Sequence, residues 1–235
     1  MASIVDAFEE SLQDNHAIFK IVLYTIPLYY CIHLLMEKAS SGYFVFVTVM
    51  TSILLLGFAL KCSQNVRSGQ NSVLPSFNVF GVFFEGLKGT VALLPMLIIS
   101  LVVEHFASEM LANYFSDTLL NVFIWIITGL CASLVYTAYI LYAKRFKITD
   151  AYNFGLISKY CVDILLAVIF MKIKLILADL LLLLPVTYVI WLFFGIPHPV
   201  AIFFWCLISV FSIAMIGHYL SQVGYEIIEV AENDD

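Results

Sequence analysis

The sequence predicts an all-α, polytopic integral membrane protein with six transmembrane helices and two amphipathic helices at the membrane surface. Of its 235 residues, 63% are hydrophobic and 12% are charged, and the mean hydropathy is +1.00, whereas soluble domains carry about 25% charged residues. Several apolar runs approach the ~20 residues that a helix needs to cross a bilayer. These runs are apolar on every side, which excludes a membrane β-barrel, because barrel strands alternate apolar and polar residues.

Six apolar runs predict the spans, between an acidic segment at 1–17 and an acidic tail at 223–235. The membrane domain is predicted at 18–222, with spans near 18–36, 43–60, 90–106, 119–143, 175–194 and 200–220. In the first segment, Val5, Phe8 and Leu12 share one helical face and predict a short surface helix; the alternative is a solvated, partly frayed tail. Lys20 is expected to carry its amine to the membrane surface along an apolar stem.

The stretch at 61–89 is the longest polar interruption between apolar runs. Its first half is rich in Ser, Asn, Gln and Gly and predicts a loop that ends near Pro75. Its second half predicts an amphipathic helix at 77–88 that lies along the cytoplasmic membrane surface. We expect the chain to turn near Gly86 and Gly89 from this helix into the third span. The residues that define the interfacial helix are Phe77, Phe80, Phe84, Glu85 and Lys88.

A second amphipathic segment is predicted at 148–160, after the basic collar that closes the fourth span. The following residues, 161–174, are apolar but carry three charges, so an alternative with a seventh span stays open. In the fourth span, Gly129 and Ser133 are four residues apart, which predicts the close approach of another helix.

Basic residues predict the orientation, because they are concentrated in short cytoplasmic segments of membrane proteins. With six spans, all but one of the 11 Lys and Arg residues fall on the side that holds both termini. We therefore expect a prokaryotic cytoplasmic-membrane protein with both termini in the cytoplasm. A seventh span would place the carboxyl terminus outside.

The polar stretch also carries a family resemblance. Gly69, the segment Leu74-Pro75-Ser76-Phe77, and the segment Phe83-Phe84-Glu85-Gly86-Leu87-Lys88 after an apolar span resemble the membrane family of bacteria and archaea catalogued as domain of unknown function four-zero-one-three. The end of the chain at 217–225 is similar to the closing segment of that family. The resemblance covers residues 43–225 and implies a membrane protein, but no activity.

The strongest candidate functional residues are Asp179, Lys172 and Lys174. An acid inside an apolar run is costly unless it is paired, so it indicates a functional site. The alternative is that both lysines and Asp179 reach water at the membrane surface. A second group on the predicted outer side could bind a divalent cation. Its spacing instead favours the alternative, that these residues form a solvated polar rim. The group comprises Glu104, His105, Glu109, Asp117 and His198.

No catalytic motif, cofactor motif or paired cysteine spacing occurs in the sequence, and no basic helix indicates nucleic-acid binding. We therefore expect a non-enzymatic protein with no cofactor. The leading hypothesis is an accessory or assembly factor that contacts the lipid bilayer and a protein partner, or forms a homo-oligomer, through its helices. The alternative is a small-solute or ion transporter with a polar site near Asp179. A membrane-embedded enzyme is the third hypothesis, which the missing acid–base or nucleophile set disfavours.

Overall fold

The computed structural model describes residues 3–14, 16–38, 40–70, 72–112, 117–194 and 198–229, and within them it is helical, without strands. The helices are α1 (Ile4–Gln13), α2 (Ala17–Met36), α3 (Ser41–Arg67), α4 (Val79–Ala112), α5 (Asp117–Arg145), α6 (Ile148–Ala151), α7 (Phe154–Phe194) and α8 (Pro199–Gly224). A π-helical turn, Tyr225–Glu229, follows α8. The all-helical class is therefore confirmed.

Five helical segments in the described part of the chain are long and apolar enough to cross a membrane. They are Ala17–Met36, Ser41–Arg67, Val79–Leu111, Phe123–Arg145 and Pro199–Ile228. The predicted fifth span, 175–194, lies within α7, a helix of 41 residues. Because α7 runs through 161–174 without a break, those residues do not form a separate seventh span. Of the predicted acidic tail at 223–235, the first residues form the end of α8 and the π-helical turn, and 230–235 lie outside the described residues.

The predicted turn between the interfacial helix and the third span is wrong. α4 is one continuous helix of 34 residues that passes through Gly86 and Gly89. Gly86 is needed for helix packing and not for a turn: a Cβ there would collide with the backbone oxygen of Ile53 in α3, and a Cβ on Gly57 would collide with that of Val82. Two glycines therefore allow α3 and α4 to touch along their backbones.

The second amphipathic segment is also not one helix. α6 ends at Ala151, and α7 begins at Phe154. Asn153 separates them because its side-chain oxygen accepts a hydrogen bond from Leu156 N at 3.2 Å and so caps α7. The predicted close approach at Gly129 does not occur among the described residues either, since a Cβ there meets no atom within 4 Å.

The chain forms two compact units. Unit 1 comprises Met1–Leu87 and Met171–Gln222, and unit 2 comprises Lys88–Phe170 and Val223–Asp235. In unit 2, Ser100 Oγ donates to Cys131 O at 3.2 Å, and Tyr152 OH donates to Val91 O at 2.9 Å. Unit 1 contains an apolar core that includes Tyr24, Phe58, Cys62 and Leu74, with the rings of Tyr24 and Phe58 4.6 Å apart. This core supports the candidate site.

Candidate functional site

The polar loop after α3 begins at a defined helix end. Gly69 has φ +61°, and Gln70 N donates to Asn65 O at 3.0 Å. This six-to-one hydrogen bond around a left-handed glycine is a common way to end a helix. α3 therefore extends to Arg67, seven residues beyond the predicted end of the second span at 60. The predicted loop itself is confirmed, since no helix occurs between Arg67 and Val79 in the described residues.

A buried carboxylate holds this loop against the beginning of the chain. Asp14, the residue that ends α1, has no exposed side-chain surface. One of its oxygens accepts a hydrogen bond from Lys20 Nζ at 2.7 Å. The other accepts from Ser72 Oγ and from Leu74 N, each at 2.7 Å. The carboxylate is thus neutralised by one cation and bonded by two further donors, which is the arrangement that a buried charge requires.

Lys20 lies in this network, so its amine is buried within the protein and does not extend into an exposed position. Its side chain is 8% exposed, and Nζ donates to Ser72 Oγ at 2.7 Å as well as to Asp14. Lys20 is in the first turn of α2. His16, which directly precedes α2, has the αL conformation with φ 61°, so the chain turns between Asp14 and Lys20, whose charges are in contact.

Two further side chains satisfy carbonyl groups of the loop. Asn65 Nδ2 donates to Val73 O and Leu74 O, each at 3.2 Å. Tyr24 OH donates to Ser76 O at 3.2 Å. Buried backbone carbonyls without partners are costly, so these bonds explain why polar residues occur in the last turns of α3 and in the body of α2. The loop is therefore a fixed part of unit 1.

A polar cavity of about 570 Å³ lies beside this network, among α2, α3, the loop and the start of α4. Its volume is in the range of small-molecule sites in proteins, roughly 300–1,000 Å³. Three charged residues line it, one of them the buried Lys20, together with amide and hydroxyl side chains. The polar lining residues are Lys20, Lys61, Gln64, Asn65, Gln70, Ser72, Ser76, Asn78 and Glu85.

The first turns of α4 place their polar face toward this cavity. Asn78 caps the helix through a hydrogen bond from Gly81 N to Oδ1 at 2.9 Å, and Glu85, two turns later, is half-buried. On the other side of the helix, Phe80 is 79% exposed and Phe84 is 58% exposed. Asn78 and Glu85 therefore line a cavity of unit 1, whereas Phe80 and Phe84 are exposed; the prediction of an amphipathic helix at the membrane surface stays a prediction.

α1 covers the same end of unit 1 from the other side. Phe8 packs edge-on against Phe211 of α8, with ring centroids 5.4 Å apart. His218, which is fully buried, donates from Nε2 to Glu10 Oε2 at 2.7 Å. Ser3 N donates to Gln222 Oε1 at 2.8 Å. The predicted surface helix is thus confirmed as a helix, and its contacts join the start of the chain to the end of α8.

A second cavity in unit 1, of about 390 Å³, has a nearly entirely apolar lining. It lies beside Pro27 of α2, Met50 of α3 and Phe83 of α4. Its outer residues include Phe80 and Tyr30, which are exposed. Thr51 and Tyr30 are the polar residues of this lining, which has fewer groups to orient a polar ligand than the polar cavity, so the polar cavity is the stronger candidate.

Lys172 and Lys174 are not among the residues that line the polar cavity. Lys172 and Lys174 are exposed on α7. Asp179 is in the same helix, but its side chain lies outside the described ones, so its pairing stays a prediction. Of the outer-side group, His105 Nε2 and Glu109 Oε1 lie 3.5 Å apart within α4. No group of three metal-ligating side chains occurs in the part of the chain that the structure describes.

The predicted interfacial residues divide between the cavity and the exterior. Phe77 and Glu85 line the cavity, and Phe77 is also 52% exposed. Phe80, Phe84 and Lys88 are exposed and are not among the lining residues. Sequence reasoning missed Asp14 and Asn65, which it assigned to an acidic surface segment and to turn chemistry. The available signal was the position of Asp14 and Lys20 on either side of a helix boundary, directly before an apolar run.

No protein-family model matches the chain, and no curated protein and no solved structure is significantly similar to it. The resemblance to domain of unknown function four-zero-one-three therefore stays a prediction.

Proposed function

We propose that this protein is a non-enzymatic membrane protein of the transporter class that binds a small polar solute in the polar cavity of unit 1. The observation that carries the proposal is the lining of the cavity. Charged and amide side chains converge on one space of about 570 Å³, while neighbouring phenylalanines of α4 face outward. An apolar exterior around a polar interior is the arrangement that a solute site in a bilayer requires.

The contacts of α1 support the six-span topology in the cytoplasmic membrane. α2 begins beside α1, and α8 ends beside it, where Ser3 N meets Gln222 Oε1 at 2.8 Å. A chain that enters and leaves the membrane on the same side crosses it an even number of times. The five apolar segments already identified therefore call for a sixth crossing, for which α7 supplies the remaining long helix. The basic residues favour the cytoplasm for that side.

The cavity then lies at the cytoplasmic end of unit 1. Lys20 is at the start of α2, Lys61 is near the end of α3, and Asn78 is at the start of α4. A solute would enter the cavity from the cytoplasm. Its hydrogen bonds to the lining residues would replace the hydrogen bonds that it makes to water. The accessory-factor hypothesis assigns no role to this cavity and is the outcome to be expected if no solute binds.

The test is a screen of small polar solutes against the full chain in lipid nanodiscs. Amino acids, sugars, polyols, nucleosides and inorganic anions are added one at a time, and the apparent melting temperature is measured. A solute that binds the folded state raises it. Uptake of the same solute into proteoliposomes then separates transport from binding alone.

A matched pair of variants assigns the binding to the cavity. Ser76→Trp fills it from the loop, where only the backbone oxygen of Ser76 bonds to Tyr24. Phe80→Trp adds a comparable ring on the exterior of α4. We expect Ser76→Trp to lose the stabilisation and Phe80→Trp to keep it. Failure of every solute to stabilise the wild-type chain, or equal loss in both variants, would contradict the proposal.

A further inference from the structure

The charges around the polar cavity balance. Lys20 lines the cavity, but its charge is matched by Asp14 at 2.7 Å. The remaining charged residues of the lining are one cation, Lys61, and one anion, Glu85, and both are half-buried. A solute with a net charge would be attracted by one of these two residues but repelled by the other, which has the same sign. That repulsion is unfavourable in a partly desolvated site.

Lys61 and Glu85 can each bind a ligand group in addition to their protein contacts. Lys61 Nζ donates to Gln64 Oε1 at 2.8 Å, and an ammonium group has three donors. A carboxylate such as that of Glu85 accepts at about four lone-pair sites. The amide side chains of Gln64 and Asn78, on the same lining, supply uncharged donors and acceptors between the two charges.

We propose that the ligand of this cavity is a small zwitterion, whose anionic oxygens contact Lys61 and whose ammonium group contacts Glu85. The inference rests on the proposed solute-binding function and specifies its substrate class. Such a ligand places a negative group against the cation and a positive group against the anion and leaves the net charge of the site unchanged. The same chemistry occurs in free amino acids and in the ethanolamine phosphate headgroup of a lipid.

The experiment measures ligand selectivity of the full chain in nanodiscs made only of phosphatidylglycerol. The probes are the common α-amino acids, β-alanine and phosphoethanolamine. For each amino acid that binds, two analogues are compared: the N-acetyl derivative, which lacks the ammonium group, and the α-carboxamide, which lacks the carboxylate. We expect at least one zwitterion to bind and the analogues of each binding amino acid to bind at least about tenfold more weakly, since loss of one charge-assisted hydrogen bond costs about 1.5–3 kcal/mol.

Two variants are each expected to lose one of these two preferences. Glu85→Gln is expected to bind the zwitterion about tenfold more weakly and to lose the preference over the N-acetyl derivative. Lys61→Gln is expected to lose the preference over the carboxamide. A merely structural role of either residue would weaken all ligands equally. Glu37→Gln and Lys172→Gln change exposed residues outside the cavity and serve as controls.

The outcomes separate this inference from the function on which it rests. Binding of only uncharged or singly charged solutes would overturn the zwitterion and leave a solute site. Absence of any binding would contradict both. Selectivity ratios that do not change in Glu85→Gln and Lys61→Gln would overturn the assignment of the two contacts. Nanodiscs that contain phosphatidylethanolamine identify the source of the ligand. If the site binds the lipid headgroup, phosphatidylethanolamine competes and lowers the affinity for the free zwitterion at least about tenfold. If the site binds a free solute, the affinity does not change.

Discussion

The ion pair between Asp14 and Lys20 is expected to control the opening of the loop that borders the polar cavity. Asp14→Asn leaves the ammonium of Lys20 buried, at 8% side-chain exposure, without its anionic partner. Breaking a buried pair by removal of one partner costs about 3–5 kcal/mol. Asn still accepts a hydrogen bond through one oxygen, so we expect the lower part of this range.

Cys62 reports this opening directly. It is fully buried in the core that contains Leu74, whose backbone N–H donates to Asp14. In a background without the other four cysteines, a water-soluble thiol reagent labels Cys62 only when the loop opens. Where opening and closing are fast, the labelling rate reports the free energy of opening. A loss of 3 kcal/mol corresponds to labelling roughly 100-fold faster, because each 1.36 kcal/mol is tenfold.

A double-mutant cycle separates the charge from the packing. Lys20→Met removes the cation and keeps the stem, and the double variant Asp14→Asn/Lys20→Met contains neither charge. We expect the double variant to label more slowly than Asp14→Asn alone, with a coupling free energy of about 0.5–3 kcal/mol. Glu9→Gln, on the exposed face of α1, is the control and should leave the rate unchanged. Additive effects of the two single variants would refute the ion-pair reasoning.

The remaining predictions address helix packing, α7 and topology. Gly86→Ala should destabilise the folded chain by more than 2 kcal/mol, roughly the cost of overpacking a core, because its Cβ collides with Ile53 O. Gly129→Ala, in open space within a helix, should stabilise it by about 0.5–1 kcal/mol in the same thermal assay; the reverse order would contradict the packing. If α7 contributes to transport, Asp179→Asn should alter the pH dependence of uptake, and full activity at every pH would exclude a coupling role. Reporter fusions at the two termini should both be active in the cytoplasm, and an external carboxyl terminus would contradict the six-span topology.

The long apolar runs of the sequence predicted α2 and α8 well, because lipid-facing segments of this length have few alternatives to a helix. α2 and α8 agree with the predicted spans 18–36 and 200–220 to within a few residues. Helix breaks were predicted poorly. Gly86 was predicted to be a turn, whereas its role is to let α3 approach α4. That role depends on Gly57, which lies 29 residues earlier in the chain.

The site could be predicted only in part. The sequence identified 61–89 as the longest polar interruption between apolar runs and placed Glu85 on the polar face of a predicted amphipathic helix. It could not show that this face turns toward Lys20, since the contacts that form the cavity join residues 52 to 60 positions apart, such as Ser72 with Lys20 and Leu74 with Asp14. A charged side chain at the start of a span can extend into water at the surface or form a buried ion pair. Only the tertiary contacts decide which of these occurs.

Cysteine accessibility along the first turns of α4 tests the central claim most directly. Asn78→Cys and Glu85→Cys replace residues that line the polar cavity, whereas Phe80→Cys and Phe84→Cys replace exposed residues on the other side of the helix. Each is made without the native cysteines and treated in inside-out vesicles with a membrane-impermeant reagent. We predict that positions 78 and 85 react, that a bound solute slows both reactions, and that lipid protects positions 80 and 84. Protection of all four positions, or reaction of 80 and 84 in place of 78 and 85, would contradict a water-accessible polar cavity.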